Sequence, residues 1–139
     1  MYVEERVEID APPEQVWEVM ADVERWHEWT ASITAIERRE SGPLRLGASA
    51  RVTQPKVPSV VWVVTDLQPG RSFTWVAGNL LFRSTGSHTV EPRLGGGSVA
   101  TLTVRSRGLL LPLLRSRIEP LTRDYVALEA AGLKRRCEQ

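Results

Sequence analysis

Cysteine and histidine are scarce in this sequence of 139 residues, which contains one cysteine, Cys137, and two histidines, His27 and His88. A single cysteine excludes a disulfide within the chain and a four-cysteine zinc site. No spacing of histidine, cysteine and aspartate is typical of a metal cage, so we expect neither a metal site nor a cofactor.

An excess of charge is also missing, because 18 lysines and arginines are balanced by 17 aspartates and glutamates, giving a net charge of +1. A nucleic-acid-binding domain usually carries a basic surface, so we expect no nucleic-acid partner. No run approaches the roughly 18 consecutive apolar residues of a membrane span, and the first residues lack the pattern of a signal peptide. We therefore expect a cytoplasmic protein without an integral membrane segment.

Repeats, low-complexity segments and long linkers are absent as well. Hydrophobic residues make up 42% of the chain and charged residues 25%, which is typical of a globular domain. A chain of this length buries roughly two thirds of its unfolded surface and needs no disulfides to fold. We expect a single domain over residues 1–139.

Strand patterns dominate the first three quarters of the chain. Residues 2–10 alternate with Val7 and Ile9 inward, as in a half-buried strand. Glycine and proline turns then separate six further runs with strand periodicity, and such short connections require antiparallel pairing. These runs are 33–39, 48–54, 60–67, 72–77, 81–91 and 98–107.

Two short helices are predicted between the first two strands. Asp10 followed by Pro12, Pro13 and Glu14 is typical of a capped helix start. A second short helix is predicted from about Val23 to Trp29.

A long helix is predicted after Gly108. Its apolar stripe has spacings of three and four, and Glu129 falls off that stripe. Pro120 predicts a kink or a fresh start, and a capping-box pattern at Ser116 and Glu119 favours the start. The stripe consists of Leu114, Ile118, Leu121, Tyr125 and Leu128.

The order of elements predicts an α+β helix-grip fold. In this fold a curved seven-stranded antiparallel sheet wraps around a long C-terminal helix, with two short helices between strands 1 and 2. The amphipathic helix is the natural cover for the apolar face of the sheet.

Five stretches carry a resemblance to a known family: IDAPPEQVW at 9–17, WHEWT at 26–30, VTDLQPG at 64–70, HTVEP at 88–92 and LEAAGLK at 128–134. Together with the element order, they resemble the START-like, or Bet v 1-like, SRPBCC superfamily, and within it the polyketide cyclase/dehydrase-like group. The resemblance extends from Val3 to about Arg136. It implies an apolar cavity between sheet and helix that holds a hydrophobic small molecule, and some members of the family are cyclases or dehydratases.

His88 is the candidate catalytic residue. Counting by twos from Val90 places it on the cavity face together with Ser84 and Phe82. There its imidazole could act as a general acid or base, or it could simply complete the wall. Burial should lower its pKa and keep it neutral at pH 7. His27, between two tryptophans, is expected at the surface.

Trp62 and Trp75 could line a ligand pocket or fill the core, and filling by the five tryptophans would leave only a small cavity. The candidate ligand-binding residues come from three strands and the long helix. They are Trp62, Val64, Trp75, Phe82, Ser84, His88, Leu114, Ile118, Leu121 and Tyr125.

Five leucines lie in the six positions Leu109–Leu114, and they cannot all face one core on a single helix. We expect some of them to line a cavity mouth, touch a membrane surface, or contact a homodimer or protein partner, unless the segment is buried at the sheet edge.

Three functions follow as hypotheses. The first is binding of a hydrophobic small molecule that is aromatic, polyketide-like or a lipid. The second is a cyclase or dehydratase that uses His88 as its acid–base group. The third is a protein-interaction module without a ligand. Several convergent polar groups in the cavity would favour the enzyme, whereas a carrier needs almost none.

Overall fold

The computed structural model describes residues 1–139 and contains one seven-stranded sheet. The sheet has the spatial order β1-β7-β6-β5-β4-β3-β2, and every neighbouring pair is antiparallel. The predicted sheet is therefore confirmed. Its strands are β1 (Tyr2–Ile9), β2 (Ala35–Arg38), β3 (Ser49–Thr53), β4 (Val60–Gln68), β5 (Ser72–Gly78), β6 (Arg83–Pro92) and β7 (Ser98–Arg107).

Two short helices connect β1 to β2, as predicted. Helix α1 (Pro13–Ala21) buries Val16 and Met20, and a 3-10 helix (Val23–Glu28) follows it. Asp10 is not the helix cap, because Pro12 holds that position and no side chain caps the helix. The Asp10 carboxylate instead pairs with Arg93 in the β6–β7 turn.

Helix α2 (Leu111–Cys137) is continuous for 27 residues. Pro120 lies inside the helix, so the predicted fresh start at this position is wrong. Glu119 does not form a capping box either, because its carboxylate accepts hydrogen bonds from Arg115 and Arg123 along the helix surface. No helix in the chain is long and apolar enough to cross a membrane.

Gly108 turns the chain from β7 into α2. Its φ of 143° is in a region that favours glycine, and a Cβ atom there would lie 2.2 Å from the Leu81 carbonyl oxygen. The Leu109 and Leu110 amides donate to the carbonyl oxygens of Leu80 and Leu81. The start of α2 is therefore held against the β5–β6 loop.

The buried face of α2 shifts along its length. In the first half, Leu114, Ile118, Leu121 and Tyr125 are half-buried. Leu128 is 44% exposed, so its predicted place on the buried stripe is wrong. In the second half, the buried side chains are those of Val126, Ala130, Leu133 and Cys137.

Candidate functional site

A cavity of about 540 Å³ lies between the sheet and the first half of α2. The lining residues come from β3 to β7, the loops between them, the 3-10 helix and α2. Of the 26 lining residues, 17 are hydrophobic, so the cavity is suited to an apolar molecule. The five tryptophans therefore do not close the space between sheet and helix.

The structure brings together nine of the ten ligand-binding residues predicted from the sequence. They reach the cavity from β4, β5, the β5–β6 loop, β6 and α2. These nine are Trp62, Trp75, Phe82, Ser84, His88, Leu114, Ile118, Leu121 and Tyr125.

Val64 is the exception, and its predicted place in the cavity wall is wrong. Its side chain points to the same face of β4 as Trp62 but is only 3% exposed. Val23 and Leu44 lie against it, and the gap among them is too small for a water molecule. The 3-10 helix covers this part of the sheet, so Val64 belongs to the solid core.

His88 lies in the cavity wall, in an aromatic cage. Its ring stacks on Phe73 with centroids 4.3 Å apart, and the Trp26 ring lies 5.0 Å away. Nδ1 is 3.4 Å from the Phe73 carbonyl oxygen, which can only accept, so Nδ1 carries the proton. Burial lowers the pKa of His88 to about 4, and the smaller effect of the Phe73 contact opposes this shift.

Trp62 on β4 and Trp75 on β5 form the aromatic wall of the cavity. Their ring centroids lie 5.6 Å apart, and the planes are tilted by 34°. Gly86 lies beneath both indoles, because a Cβ atom there would be 3.2 Å from Trp75 Nε1 and 3.5 Å from Trp62. Glycine at this position therefore gives both tryptophans room at the cavity surface.

Glu129 also lines the cavity, although the sequence analysis placed it off the apolar stripe of α2. Its carboxyl group has no hydrogen bond or ion pair within the chain, and burial raises its pKa to about 8. Glu129 follows Tyr125 by four residues and Ile118 by eleven, and both spacings keep it on the lining face. This spacing could have identified Glu129 as a lining residue from the sequence. The neighbouring Leu128 is apolar, however, and was assigned to the lining face instead.

The mouth of the cavity is marked by its exposed lining residues. Val60, Leu81 and Leu110 are 37%, 49% and 38% exposed, and they come from β4, the β5–β6 loop and the residue before α2. Leu109 and Leu113 lie beside the mouth and are 76% and 78% exposed. The leucine segment thus divides between the cavity and the outer surface.

Other titratable groups do not add to the site. His27 is exposed on the 3-10 helix, as expected. No group of three or more histidine, cysteine, aspartate or glutamate side chains is placed to hold a metal ion. Cys137 is a free thiol buried at the far end of α2.

Comparison with protein families gives one match that spans the chain. The family described as "Polyketide cyclase / dehydrase and lipid transport" matches residues 2–138. A search of curated proteins found no match.

Solved structures share the fold at low sequence identity. A START superfamily protein from Mycobacterium smegmatis is 15% identical, with a TM-score of 0.80 over 99% of this chain and 97% of that chain. A protein from Thermus thermophilus is 20% identical, with a TM-score of 0.79 over 99% and 97% of the two chains. The di-domain ARO/CYC protein BexL from the BE-7585A biosynthetic pathway is 16% identical, with a TM-score of 0.76 over 100% of this chain and 50% of that chain.

Proposed function

Because the chain belongs to the polyketide cyclase/dehydrase and lipid transport family, we propose that it binds a hydrophobic small molecule in the cavity between the sheet and α2. The START-like resemblance inferred from the sequence is confirmed by the family match and by the fold. Within the proposal, the ligand is aromatic, polyketide-like or a lipid, and the protein acts in the cytoplasm.

The observation that carries this proposal is the cavity itself. Its volume of about 540 Å³ lies within the range of roughly 300–1,000 Å³ found for small-molecule sites. Trp62 and Trp75 present indole surfaces to it, and planar aromatic molecules stack favourably on such surfaces. A carrier needs this combination of apolar wall and open mouth.

A neutral fluorescent probe tests the proposal. N-phenyl-1-naphthylamine should bind the native protein with increased emission, and tryptophan emission should change in parallel. Ile118→Trp places a larger side chain in the cavity and should abolish binding. Ala127→Trp, on the exposed side of the same helix, is the matched control and should bind like the unaltered protein.

Equal probe binding by both tryptophan variants would place the probe outside the cavity and contradict the proposal. Where the two variants differ as expected, native mass spectrometry of the protein purified from its own host should identify the natural ligand. A co-purifying molecule should be displaced by the probe if the two share the cavity.

A cyclase or dehydratase is the second candidate, favoured by the presence of two titratable side chains, His88 and Glu129, in one cavity. With a pKa of about 4, however, the His88 imidazole is a weak base at neutral pH, which favours binding over acid–base chemistry. Incubation with a phenolic poly-β-ketone separates the two functions. A carrier returns the compound unchanged, a cyclase converts it into an isomer of the same mass but different retention time, and a dehydratase removes the mass of one water. Either reaction should be about 10²–10⁴ times slower in His88→Gln.

An interaction module without a ligand would combine exposed leucines with a closed cavity. The exposed Leu109 and Leu113 satisfy the first condition, but the open cavity does not satisfy the second. A homodimer or protein partner at Leu109–Leu114 would therefore accompany ligand binding rather than replace it.

A further inference from the structure

His88 and Glu129 lie at the closed end of the cavity. His88 is the last cavity residue of β6, because Val90, the next residue on that face, is buried in the core. Glu129 is the last cavity residue of α2, because Ala130 and Leu133 beyond it pack in the core.

The far ends of β6 and α2 meet at the same end of the molecule. Pro92 of β6 pairs with Ser98, and Ser98 also pairs with Ile9 at the end of β1. The end of α2 reaches the same place, since the Asp10 amide donates to the Glu138 carboxylate at 2.8 Å. The two titratable side chains therefore share the end opposite the mouth.

Nε2 of His88 has no partner within the chain. Nδ1 donates to the Phe73 carbonyl oxygen, so the neutral ring leaves Nε2 as a bare acceptor. Glu129 is likewise unpartnered, and no lysine or arginine lines the cavity. The closed end thus offers hydrogen-bond acceptors without a positive charge.

Most other polar groups in the lining are already engaged. The Ser84 hydroxyl bonds to Ser106 at 2.9 Å, and the Thr122 hydroxyl donates to the Ile118 carbonyl oxygen at 2.8 Å. The Tyr125 hydroxyl donates to the Pro55 carbonyl oxygen. The indole N–H groups of Trp62 and Trp75 are also free but can only donate, and the free Gln54 amide lies just after β3, towards the mouth. At the closed end, a donor on a ligand therefore finds its free acceptors at His88 and Glu129.

We propose that the closed end is a subsite for a hydrogen-bond donor on an apolar ligand, a hydroxyl or an amine, and that it rejects carboxylates. The inference rests on the proposed function, because it specifies the ligand of the same cavity. A hydroxyl donates to Nε2, and an ammonium group pairs with the Glu129 carboxylate. A ligand carboxylate would meet no lysine or arginine in the cavity, and burying such an anion without a cation is strongly unfavourable.

Four naphthalenes of similar size test the preference at pH 7 by displacement of N-phenyl-1-naphthylamine. We expect 2-naphthol to bind about 3–10-fold more tightly than naphthalene, the value of one net hydrogen bond. We expect 2-naphthoate to bind about tenfold or more weakly than naphthalene. Naphthoate binding as tightly as naphthol would overturn the inference.

Binding of 2-naphthylmethylamine tests the pairing of an ammonium group with Glu129. Because Glu129 holds a proton in the empty cavity at pH 7, pairing with the ammonium group should release about one proton per ligand. Calorimetry in buffers of different ionisation enthalpy measures this release. The release should disappear in Glu129→Gln and persist in Asp124→Asn, whose acid is exposed on the same helix. Proton release in Glu129→Gln would contradict the role of Glu129.

The variant His88→Phe tests the hydrogen bond from a ligand hydroxyl to Nε2. It keeps an aromatic ring against Phe73 and removes the acceptor. The ratio of naphthol to naphthalene affinity should fall to about one, whereas His27→Gln should keep the ratio of the unaltered protein. In the unaltered protein, the ¹⁵N resonance of His88 Nε2 should shift when naphthol is added and stay fixed when naphthalene is added. This measurement needs no variant.

The failures of the two proposals are distinguishable. If neither naphthalene nor the probe binds, both proposals fall. If naphthalene binds but naphthol and naphthoate bind equally well, the cavity is a ligand site and only the donor subsite is wrong.

A second inference rests on the surface beside the mouth, which we call the leucine patch: Leu80, Leu81, Leu109, Leu110 and Leu113. Leu80 is 80% exposed, and Leu109 and Leu113 are similarly exposed. Backbone hydrogen bonds join the β5–β6 loop, which carries Leu80 and Leu81, to the segment that leads into α2. The patch is therefore one surface formed by two segments.

Unpaired arginines flank this patch. Arg83 and Arg107 are directly opposite each other on β6 and β7, and like charges in such a pair repel. Neither has an acidic partner, and Arg117 on α2 is also exposed without one. Apolar side chains bordered by uncompensated positive charge complement a surface that is apolar inside and anionic outside.

We infer that the leucine patch docks on an anionic lipid bilayer. The leucines enter the acyl region, the arginines meet the anionic headgroups, and the cavity mouth opens towards the lipid. This places the mouth where an apolar ligand can leave or enter without crossing water.

Sedimentation with vesicles tests the docking. The protein should bind phosphatidylglycerol-containing vesicles, bind pure phosphatidylcholine weakly, and dissociate as salt is raised. Arg83→Gln and Arg107→Gln should each weaken binding about fivefold. Arg71→Gln, at the other end of the sheet, should not.

Leucine variants complete the test. The double variant Leu109→Ser with Leu113→Ser should lose vesicle binding, whereas Leu94→Ser, fully exposed in the β6–β7 turn, should keep it. Equal binding by the double variant, or a concentration-dependent dimer in light scattering without vesicle binding, would overturn the inference. The second result would assign the patch to self-association.

Discussion

The two halves of α2 cover the same sheet in different ways. Up to Glu129 the helix borders the cavity, mostly with half-buried side chains, whereas beyond Glu129 its inward side chains are buried. The helix lies closest to β1 and β7, and the cavity lies beside it over the central strands. The first half therefore serves the ligand site, and the second half holds the fold together.

Gly132 explains how the second half comes so close. A Cβ atom at this position would lie 2.0 Å from the Trp29 carbonyl oxygen, so only glycine permits the contact. Arg135 donates to the same oxygen at 3.1 Å. Helix and loop are joined at this point, which leaves the first half free to border an open space.

The largest expected difference between the halves is in the cost of removing a leucine. Leu133 is 1% exposed, so Leu133→Ala should lower the free energy of unfolding by about 2–5 kcal/mol. Leu121 already borders a cavity, so Leu121→Ala should cost about 1 kcal/mol. Urea denaturation of both variants measures the difference, and equal costs would contradict the division of α2.

Acid should destabilise the protein through His88. In the folded state its pKa is about 4, and in the unfolded chain it returns to the ordinary value near 6.5. As the pH falls, the unfolded state therefore binds the proton before the folded state does. The free energy of unfolding should decrease by about 3 kcal/mol between pH 6.5 and pH 4. His88→Gln should flatten this part of the stability curve and His27→Gln should not; identical curves for the two variants would contradict the burial of His88.

Gly132→Ala should destabilise the protein, although alanine is the better helix former. Helix propensity alone predicts a gain of about 1 kcal/mol. The clash with the Trp29 carbonyl oxygen should outweigh it and give a net loss of about 1–3 kcal/mol in thermal or urea unfolding. Ala131→Gly, on the exposed side, should show the ordinary loss of about 1 kcal/mol; a stabilised Gly132→Ala would mean that helix and loop are not in close contact.

The sequence was sufficient for the sheet and for most of the cavity wall. Alternation along β5 and β6 correctly predicted that Trp75 and His88 face inward, because placing one residue of a strand fixes the face of all the others. Val64 has the same periodicity but lies in the core. Whether a residue on that face meets a ligand or a neighbour depends on Val23 and Leu44, which are distant in sequence.

The helix was harder to predict because its period is not an integer. Leu128 was assigned to the stripe for its apolar side chain, yet the lining face continues through Glu129. Hydrophobic periodicity assigns apolar residues to the buried face of a helix. It therefore fails to detect a carboxyl group on that face. Positions that break the pattern in this way are frequently functional.

Glu129 gives the smallest and most specific prediction, because replacing it should stabilise the protein. Burial raises the pKa of its carboxyl to about 8, so between pH 4.5 and 8 the unfolded state loses a proton that the folded state keeps. Stability should therefore fall as the pH rises through this window, and Glu129→Gln should abolish the fall. The gain over the unaltered protein should be near zero at pH 4.5 and should grow towards pH 8, by less than the whole shift would give because the cavity is open to solvent. Asp124→Asn should show no such gain, since its carboxylate is solvated. If Glu129→Gln were less stable than the unaltered protein at pH 8, the carboxylate would have a partner in solution. The proposed pairing of Glu129 with a ligand ammonium group would then be wrong.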